Sequence, residues 1–160
     1  MRLPIRAVGI VIKENKVLLI EREQDGKHYF VFPGGGVEEG ETVEEAVKRE
    51  LLEETTLEVE IQKLLYSHFY LALHKGHSVQ HFYLCRHLRG VPKLGDFEEM
   101  DKMKSGKGYF NPLWINLEKL PDLLLYPLEI RDNLLEDIKI NFKENPKEEK
   151  IDLEHLRQKI

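Results

Sequence analysis

The sequence has 160 residues, which is enough for one domain with a buried core and too few for two domains of ordinary size. Its 24 basic and 29 acidic residues give a formal net charge of −5, which argues against binding of nucleic acid or an anionic membrane, because both select basic surfaces. A single cysteine excludes an internal disulfide, and no apolar run approaches the roughly 20 residues of a membrane span, so we expect a cytoplasmic protein.

The N-terminal part of the chain is predicted to form three strands. Residues 1–4 lead almost directly into the first strand, without the apolar core of a signal peptide. Residues 6–13 are β-branched and nearly all apolar, as in a strand buried on both faces, and residues 16–23 follow as its hairpin partner. Residues 28–32 predict a short third strand, which leads to Pro33 and three glycines.

Arg22, at the end of the second predicted strand, is a candidate substrate-binding residue. The planar guanidinium group matches the geometry of a phosphate, so Arg22 is placed to contact a phosphate group of a substrate. A surface ion pair with Glu21 or Glu23 explains the presence of this arginine equally well.

A glycine-rich stretch is followed by a predicted helix. The glycines at 34–36 allow backbone conformations and close approaches that other residues do not, and we expect them to form a loop. Thr42 and Glu45 have the spacing of a capping box, so the helix begins at Thr42. The absence of proline and glycine from residues 43–54 predicts roughly three helical turns.

Three carboxylates share one face of that helix, because positions i, i+3 and i+4 are neighbours: Glu50, Glu53 and Glu54. Apolar side chains lie beside this face, and the opposite side is charged, with Lys48 and Arg49 among its residues. Crowded like charges near apolar groups need a cation, and hard oxygen ligands favour magnesium or manganese over zinc. Alternatively, the three are ordinary solvated carboxylates paired with Lys48 and Arg49.

The same stretch resembles the signature of the Nudix hydrolases. It matches in order at Phe32-Pro33-Gly34-Gly35, five residues, Glu41, seven residues, Arg49-Glu50-Leu51, one residue, Glu53-Glu54, two residues and Leu57. Every fixed position agrees except Thr56, where the family expects glycine. The resemblance implies a Nudix α/β/α sandwich with a mixed β-sheet. It also implies magnesium-dependent hydrolysis of a diphosphate linkage in a nucleoside diphosphate joined to another group.

The resemblance also implies roles for individual residues. Glu50, Glu53 and Glu54 would bind Mg²⁺, with Mn²⁺ as a substitute, and a backbone carbonyl at or next to Gly34 would complete the metal shell. Glu53 or Glu50 is expected to assist removal of a proton from the attacking water. Arg49 would orient the carboxylates through charge-assisted hydrogen bonds, and Glu41 would support the loop and the helix.

Thr56 is the departure from the family pattern. A glycine just past a helix end usually adopts a left-handed conformation, and a β-branched residue there costs on the order of 1 kcal/mol or shifts the turn. Thr56 supplies no metal ligand, so we expect an altered helix exit and an intact metal site.

The middle of the chain is predicted to form two antiparallel strands and a long loop. Residues 57–73 alternate and then become aromatic, and residues 79–88 return antiparallel, with the single cysteine, Cys85, buried in the strand. Four histidines lack the tight ligand pairs of a zinc site, and we expect some of them to line a cleft: His68, His74, His77 and His81. In the loop, Glu98 and Glu99 are candidates for a further metal ligand or base, because Nudix relatives often supply one there; a solvated acidic loop is the alternative.

The C-terminal part contains one more strand, at residues 109–115, then a short turn capped by Asn116 and a helix from Leu128 to about Ile140, preceded by Pro127. We predict a Nudix domain over residues 1–140. Residues 141–160 are expected to form a charged extension, with a linker and a weak terminal helix that could contribute to a homodimer.

The substrate class depends on weak family markers. The proline of ADP-ribose-cleaving relatives is absent at Ala72 and Leu73, and the tyrosine of dinucleoside-polyphosphate relatives is absent at His74 and Lys75. We therefore favour a nucleoside triphosphate or a broad range of small nucleotides, with ADP-ribose or a nucleotide sugar as the alternative. Two other classes stay open: a non-catalytic nucleotide-sensing module, and an interaction protein that uses the charged C-terminal segment.

Overall fold

The structure, a computed structural model, describes residues 2–74, 77–93 and 108–152. The strands in these ranges are β1 (Arg2–Lys13), β2 (Lys16–Gln24), β3 (Lys27–Val31), β4 (Gly34–Glu38), β5 (Glu58–His74), β6 (His77–Arg89), β7 (Tyr109–Asn116), β8 (Leu125–Tyr126) and β9 (Lys147–Ile151). The helices are α1 (Val43–Thr55), α2 (Leu128–Lys139) and a 3-10 helix (Leu117–Asp122). None of the helices in the described ranges is long and apolar enough to cross a membrane.

The strands form a mixed sheet around β1. The hydrogen-bonded order is β8-β3-β2-β1-β6-β5-β9, with β4 also paired to β1 and β7 to β2. β1 runs parallel to β6 and antiparallel to β2 and β4. Because β1 is apolar on both faces, it fits the centre of a sheet that is covered on both sides.

Each face of the sheet carries one helix over its own apolar cluster. Ala7 and Val11 of β1 pack with Val47 and Leu51 of α1. The alternate residues of β1, among them Val8, pack in a second cluster with α2, since successive side chains of a strand point to opposite faces. This arrangement confirms the predicted α/β/α sandwich. Cys85 is also buried as predicted, and burial raises the pKa of its thiol to about 12.

The N-terminal end of α1 is formed as the sequence predicts, whereas the altered helix exit that was expected at Thr56 is not found. The Thr42 side chain caps the helix by accepting a hydrogen bond from the Glu45 amide at 3.1 Å. At the other end, Thr56 takes the left-handed conformation, with φ of 64°, and its amide donates to the Leu52 carbonyl at 3.1 Å. The threonine therefore occupies the backbone conformation that the family gives to glycine.

The glycine stretch differs from the predicted loop. Residues 34–38 form β4, in which Gly34 pairs with Val8 and Gly35 with Ala7 of β1. A Cβ atom at Gly34 would overlap the backbone of Ala7 and Val8, so the missing side chains let two strands approach closely. The loop prediction was wrong because glycine permits a tightly packed strand as well as a turn.

The segment after residue 140 also differs from the prediction. Lys147–Ile151 is a strand, β9, that pairs in parallel with Tyr66–Tyr70 of β5, and Ile151 is buried. The interpretation of this segment as a linker was wrong, because β5 offers an open edge whose backbone groups β9 satisfies. The boundary at residue 140 stays a prediction, and the predicted helix at 153–160 lies outside the described residues.

Candidate active site

Arg49 lies at the centre of a cluster of oxygen atoms between α1 and the preceding loop. Its guanidinium group donates two hydrogen bonds to Glu41, from Nε at 2.7 Å and from Nη2 at 2.9 Å. Nη1 donates to Glu50 at 2.7 Å and to Glu53 at 3.3 Å, and Nη2 also donates to the Gly36 carbonyl at 2.9 Å. The hydrogen bonds that Glu41 accepts are the largest effect, and they raise the pKa of Arg49 above its usual value although burial acts against the charge.

This geometry corrects the helical-wheel argument, which assigned Arg49 to the face opposite the carboxylates. The long side chain of Arg49 extends back towards Glu50 and Glu53, because its aliphatic stem can carry the charged group well away from the Cα direction. The contacts match the orienting arrangement that the resemblance implied. Glu41 also accepts a hydrogen bond from the Glu38 amide at 3.0 Å, so it ties the loop to the helix.

Glu50 is a buried carboxylate beside a glycine. It is 5% exposed, and a Cβ atom at Gly35 would overlap its carboxyl group. The absence of a side chain at Gly35 therefore creates the space that Glu50 occupies. Burial of an unpaired carboxylate is costly, and Arg49 offsets part of that cost.

The other two helix carboxylates lie closer to solvent. The Glu53 side chain is 42% exposed, and Glu54 accepts a hydrogen bond from the Gly34 amide at 3.2 Å. That bond places the Glu54 carboxylate directly beside the backbone of Gly34. The Pro33 carbonyl is already engaged, because it accepts a hydrogen bond from the Gly9 amide at 3.0 Å.

The residues present suit a hard divalent cation. Three glutamate side chains and the Gly34 backbone supply oxygen atoms only, which are the ligands that Mg²⁺ and Mn²⁺ prefer. In the part of the chain that the structure describes, no three acidic, histidine or cysteine side chains already converge closely enough to hold an ion. Arg49 holds the carboxylates of Glu50 and Glu53, and the Gly34 amide holds that of Glu54.

Comparison with known proteins identifies the family of this arrangement. A family model described as NUDIX domain matches residues 3–135, which is most of the chain. The chain belongs to the Nudix family. The Nudix signature of this protein therefore comprises the glycine strand β4, the capped helix α1 and the Arg49 cluster. We call α1 the Nudix helix, and the Arg49 cluster consists of Arg49 with Glu41, Glu50 and Glu53.

Individual relatives cover different shares of the chain. ADP-ribose pyrophosphatase of Methanocaldococcus jannaschii is 55% identical over 58 residues, 36% of this chain and 34% of that protein. RNA pyrophosphohydrolase of Pelagibacter ubique is 29% identical over 156 residues, covering 87% of this chain and 94% of that protein. Apart from that protein, the chain spans about a third of the length of the curated relatives that it matches first.

Among solved structures, a NUDIX hydrolase from Nitrosomonas europaea has a TM-score of 0.67 at 21% identity. The alignment covers 92% of this chain and 78% of that one. At this low identity, the likeness shows the fold alone, and it agrees with the mixed sheet between two helical layers.

Thr56, the departure from the Nudix signature, makes a contact that the sequence did not reveal. Its hydroxyl group donates to the Val91 carbonyl at 2.9 Å. The neighbouring Lys93 amide donates to the Thr55 carbonyl at 3.2 Å, so two hydrogen bonds attach residues 91–93 to the end of the Nudix helix. No local sequence signal predicts this pairing, because the partners are 35 positions apart.

Arg22 lies over an aromatic ring. Its guanidinium carbon is 4.7 Å from the centroid of Phe110, and its Nε atom is buried without a hydrogen-bond partner among the described residues. The alternative was an ion pair with Glu21 or Glu23. Among the described residues Arg22 pairs with neither, and Glu21 instead contacts His28 at 2.8 Å and Asn111 at 3.2 Å. The role of Arg22 in substrate binding stays a prediction.

Sequence reasoning missed a polar and aromatic group beside Arg22. Tyr29 pairs with Arg22 across β2 and β3, and its ring meets that of Tyr126 edge-on at 5.9 Å. Lys27 donates to the Tyr126 hydroxyl at 2.7 Å. The tyrosines were visible in the sequence, but their meeting depends on the parallel pairing of β3 with β8.

The remaining candidates are four histidines and two glutamates; His81 is half-buried, and the side chains of His74 and His77 lie outside the described part of the chain. His68 is buried, and His81 contacts the Ser67 hydroxyl at 2.7 Å. Glu98 and Glu99 lie outside the described residues, so a role for either in the site stays a prediction.

Proposed function

We propose that this protein hydrolyses a diphosphate linkage in a nucleoside diphosphate joined to another group, with Mg²⁺ as cofactor and Mn²⁺ as a substitute. The observation that carries the proposal is the Arg49 cluster, in which one guanidinium group holds Glu41, Glu50 and Glu53 beside the Nudix helix. Membership of the Nudix family supports the same reaction class.

Glu50, Glu53, Glu54 and the backbone carbonyl of Gly34 would hold the metal. When bound, a divalent metal of this kind neutralises phosphate oxygens and lowers the pKa of a water molecule. The Gly34 amide supports this assignment, because its hydrogen bond at 3.2 Å keeps Glu54 next to that backbone.

The protein's own side chains position the reaction. Glu53 is the favoured proton acceptor because its side chain is 42% exposed, whereas that of Glu50 is 7% exposed and paired with Arg49 at 2.7 Å. Arg49 is itself fixed by two bonds to Glu41 and one to the Gly36 carbonyl, so the carboxylates need little reorganisation. Arg22 is the proposed contact for a phosphate group of the substrate.

For the substrate we favour a nucleoside triphosphate or a broad range of small nucleotides, with a cytoplasmic location. The names of two relatives give specific reasons for other candidates. The Methanocaldococcus protein, with the highest identity of those described above, is an ADP-ribose pyrophosphatase. The Pelagibacter protein, which aligns with most of this chain, is an RNA pyrophosphohydrolase, so the 5′ end of an RNA is a second candidate. The net charge of −5 favours the small nucleotide over the RNA.

A substrate panel tests the proposal. Phosphate or pyrophosphate release is measured from nucleoside triphosphates, ADP-ribose, nucleotide sugars, dinucleoside polyphosphates and a 5′-triphosphate RNA, with and without Mg²⁺. We expect metal-dependent turnover that Glu53→Gln and Glu54→Gln each remove. Glu45→Gln is the matched control, since Glu45 is an exposed glutamate on the same helix. Nucleotide binding without turnover of any substrate would favour the sensing module instead.

A further inference from the structure

A cavity of about 340 Å³ lies at the other face of the sheet, between α2 and the edge formed by β5 and β9. Tyr66 lines it and belongs to the apolar cluster under α2, whereas the Nudix helix packs on the opposite face. One wall is formed by residues 147–149 of β9, which lie beyond the family match at 3–135. The cavity is therefore a feature of this chain that the family signature does not account for.

The hydrogen-bond donors of the cavity wall are directed at other protein groups. Tyr66 donates to Asp137 at 2.5 Å, and Lys147 donates to the other oxygen of the same carboxylate at 2.6 Å. The amide of Asn133 donates to the Glu129 carbonyl at 2.6 Å. A ligand in the cavity meets mainly acceptors.

His68 is the buried acceptor of the cavity. It is 3% exposed and lines the cavity, and its ring has no hydrogen bond to any residue that the structure describes. The nearest charged atom, an oxygen of Glu149, is 3.7 Å from Nε2, which is too long for a hydrogen bond. Burial lowers the pKa of His68, although nearby Glu129 acts in the other direction, and a lowered pKa favours the neutral ring, which keeps an acceptor nitrogen.

The charge of the cavity wall favours a ligand of positive charge. Glu129, Glu148 and Glu149 line it, and Lys147, the lysine among its lining residues, is paired with Asp137. Glu148 is aligned with Ser67, so its side chain points to the opposite face from Tyr66 and His68. The two remaining carboxylates, those of Glu129 and Glu149, repel a phosphate group and attract a cation. Ile130 adds an apolar surface, and the volume lies at the lower end of the range of about 300–1,000 Å³ found for small-molecule sites.

We propose that this cavity binds a small organic cation, a primary ammonium or guanidinium group on a short aliphatic stem. Its N–H groups donate to His68 and Glu149, and its stem packs on Ile130. The proposal does not rest on the proposed hydrolase reaction, so its failure and that of the proposed function are distinguishable.

Calorimetric titration of the full chain with n-butylammonium chloride tests the proposal, with 1-butanol as the uncharged probe of similar shape. We expect saturable binding of the cation, no binding of the alcohol, and about tenfold weaker binding to Glu149→Gln, which corresponds to about 1.4 kcal/mol. Glu136→Gln is the matched control, because Glu136 is an exposed glutamate of α2 that pairs with Lys139 outside the cavity. This control should bind as the unmodified chain does.

Several outcomes would overturn the proposal. They are equal binding of butanol and butylammonium, unchanged binding to both Glu149→Gln and Glu129→Gln, and amide shifts from inorganic phosphate at residues 147–149 in nuclear magnetic resonance spectra. His68→Gln is a further variant, expected to weaken binding. If it does not fold, the two glutamate variants decide the question, because their side chains lie at the rim and their loss leaves no buried group unpaired.

Discussion

The two faces of the sheet handle buried charge in opposite ways. Beside the Nudix helix, one guanidinium group, that of Arg49, donates hydrogen bonds to three carboxylates. Under α2, one carboxylate, that of Asp137, accepts hydrogen bonds from two donors, Tyr66 and Lys147. The first arrangement has more acceptors than its cation can neutralise, whereas the second arrangement matches its donors to its acceptors.

The difference separates a site prepared for a ligand from one that stabilises the fold. Carboxylates that share a single cation bind a metal readily, because a divalent ion relieves repulsion that the protein leaves in place. Asp137 is 2% exposed and both of its oxygens are hydrogen-bonded, so nothing there calls for a ligand. We expect substitutions in the first cluster to change activity and substitutions in the second to change stability.

The largest effect is expected when the hydrogen bonds of Asp137 to Tyr66 and Lys147 are removed. Asp137→Ala should lower the free energy of unfolding by about 3 kcal/mol, because it leaves the buried Tyr66 hydroxyl and the Lys147 ammonium group without their shared partner. Urea denaturation measures this. Asp132→Ala is the control, since Asp132 is an exposed aspartate of the same helix and should change stability by no more than about 0.5 kcal/mol. Loss of kcat/KM in folded Asp137→Ala would contradict the division between the two faces.

The next largest effect is expected when the Arg49 cluster loses its guanidinium group. Arg49→Met should reduce activity or metal affinity by about 10- to 100-fold, because residues that orient metal ligands typically contribute that much. Arg49→Lys should recover little, since an ammonium group cannot form the paired bonds to Glu41. The measurements are kcat/KM and its dependence on Mg²⁺ concentration. Full activity of Arg49→Met beside a normal Lys48→Met control would show that the carboxylates do not need Arg49 for their orientation.

The sequence predicted the Nudix helix better than any other element. Thr42 and the spacing of the three glutamates are local signals, and the structure forms the cap at Thr42 as predicted. The position of Arg49 could not be predicted in the same way, because a helical wheel gives the direction of a Cβ atom and not the reach of a long side chain. The Thr56 contact to Val91 likewise depends on chain packing between distant positions.

Strand β9 was missed for a different reason. Lys147–Ile151 is charged at four of its five positions and only Ile151 is buried, so no apolar alternation marks it as a strand. Its pairing depends on backbone groups at the edge of β5, which no side-chain pattern encodes. The Asp137 network and the cavity beside β9 were unpredictable for the same reason.

The pH dependence of stability provides a smaller test of the two faces. Burial lowers the pKa of His68 on the α2 side and of His81, which contacts Ser67. The unfolded chain, with a histidine pKa of about 6.5, then binds more protons than the folded chain, so stability falls as the pH drops below that value. A pKa lowered by one pH unit corresponds to about 1.4 kcal/mol.

His68→Gln and His81→Gln test this dependence. Each variant should lose part of the decrease in unfolding free energy between about pH 7 and pH 5, and the double variant should lose more than either. Urea titrations at three pH values measure it. An equal decrease in all four proteins would show that neither histidine is buried in its neutral form.

The smallest effect is expected at Thr56, because a lost hydrogen bond and a relieved backbone strain oppose each other there. Thr56→Gly removes the hydrogen bond to Val91, worth about 1 kcal/mol, and also removes left-handed strain of about the same size, so the unfolding free energy should hardly change. Thr56→Val keeps the strain and loses the bond, so it should be less stable by about 1 kcal/mol. If Thr56→Gly is more stable than the unmodified chain and Thr56→Val has the same unfolding free energy as that chain, the Thr56 hydroxyl contributes nothing to stability. In either case the Arg49 cluster keeps its own contacts, so kcat/KM of Thr56→Gly should match that of the unmodified chain.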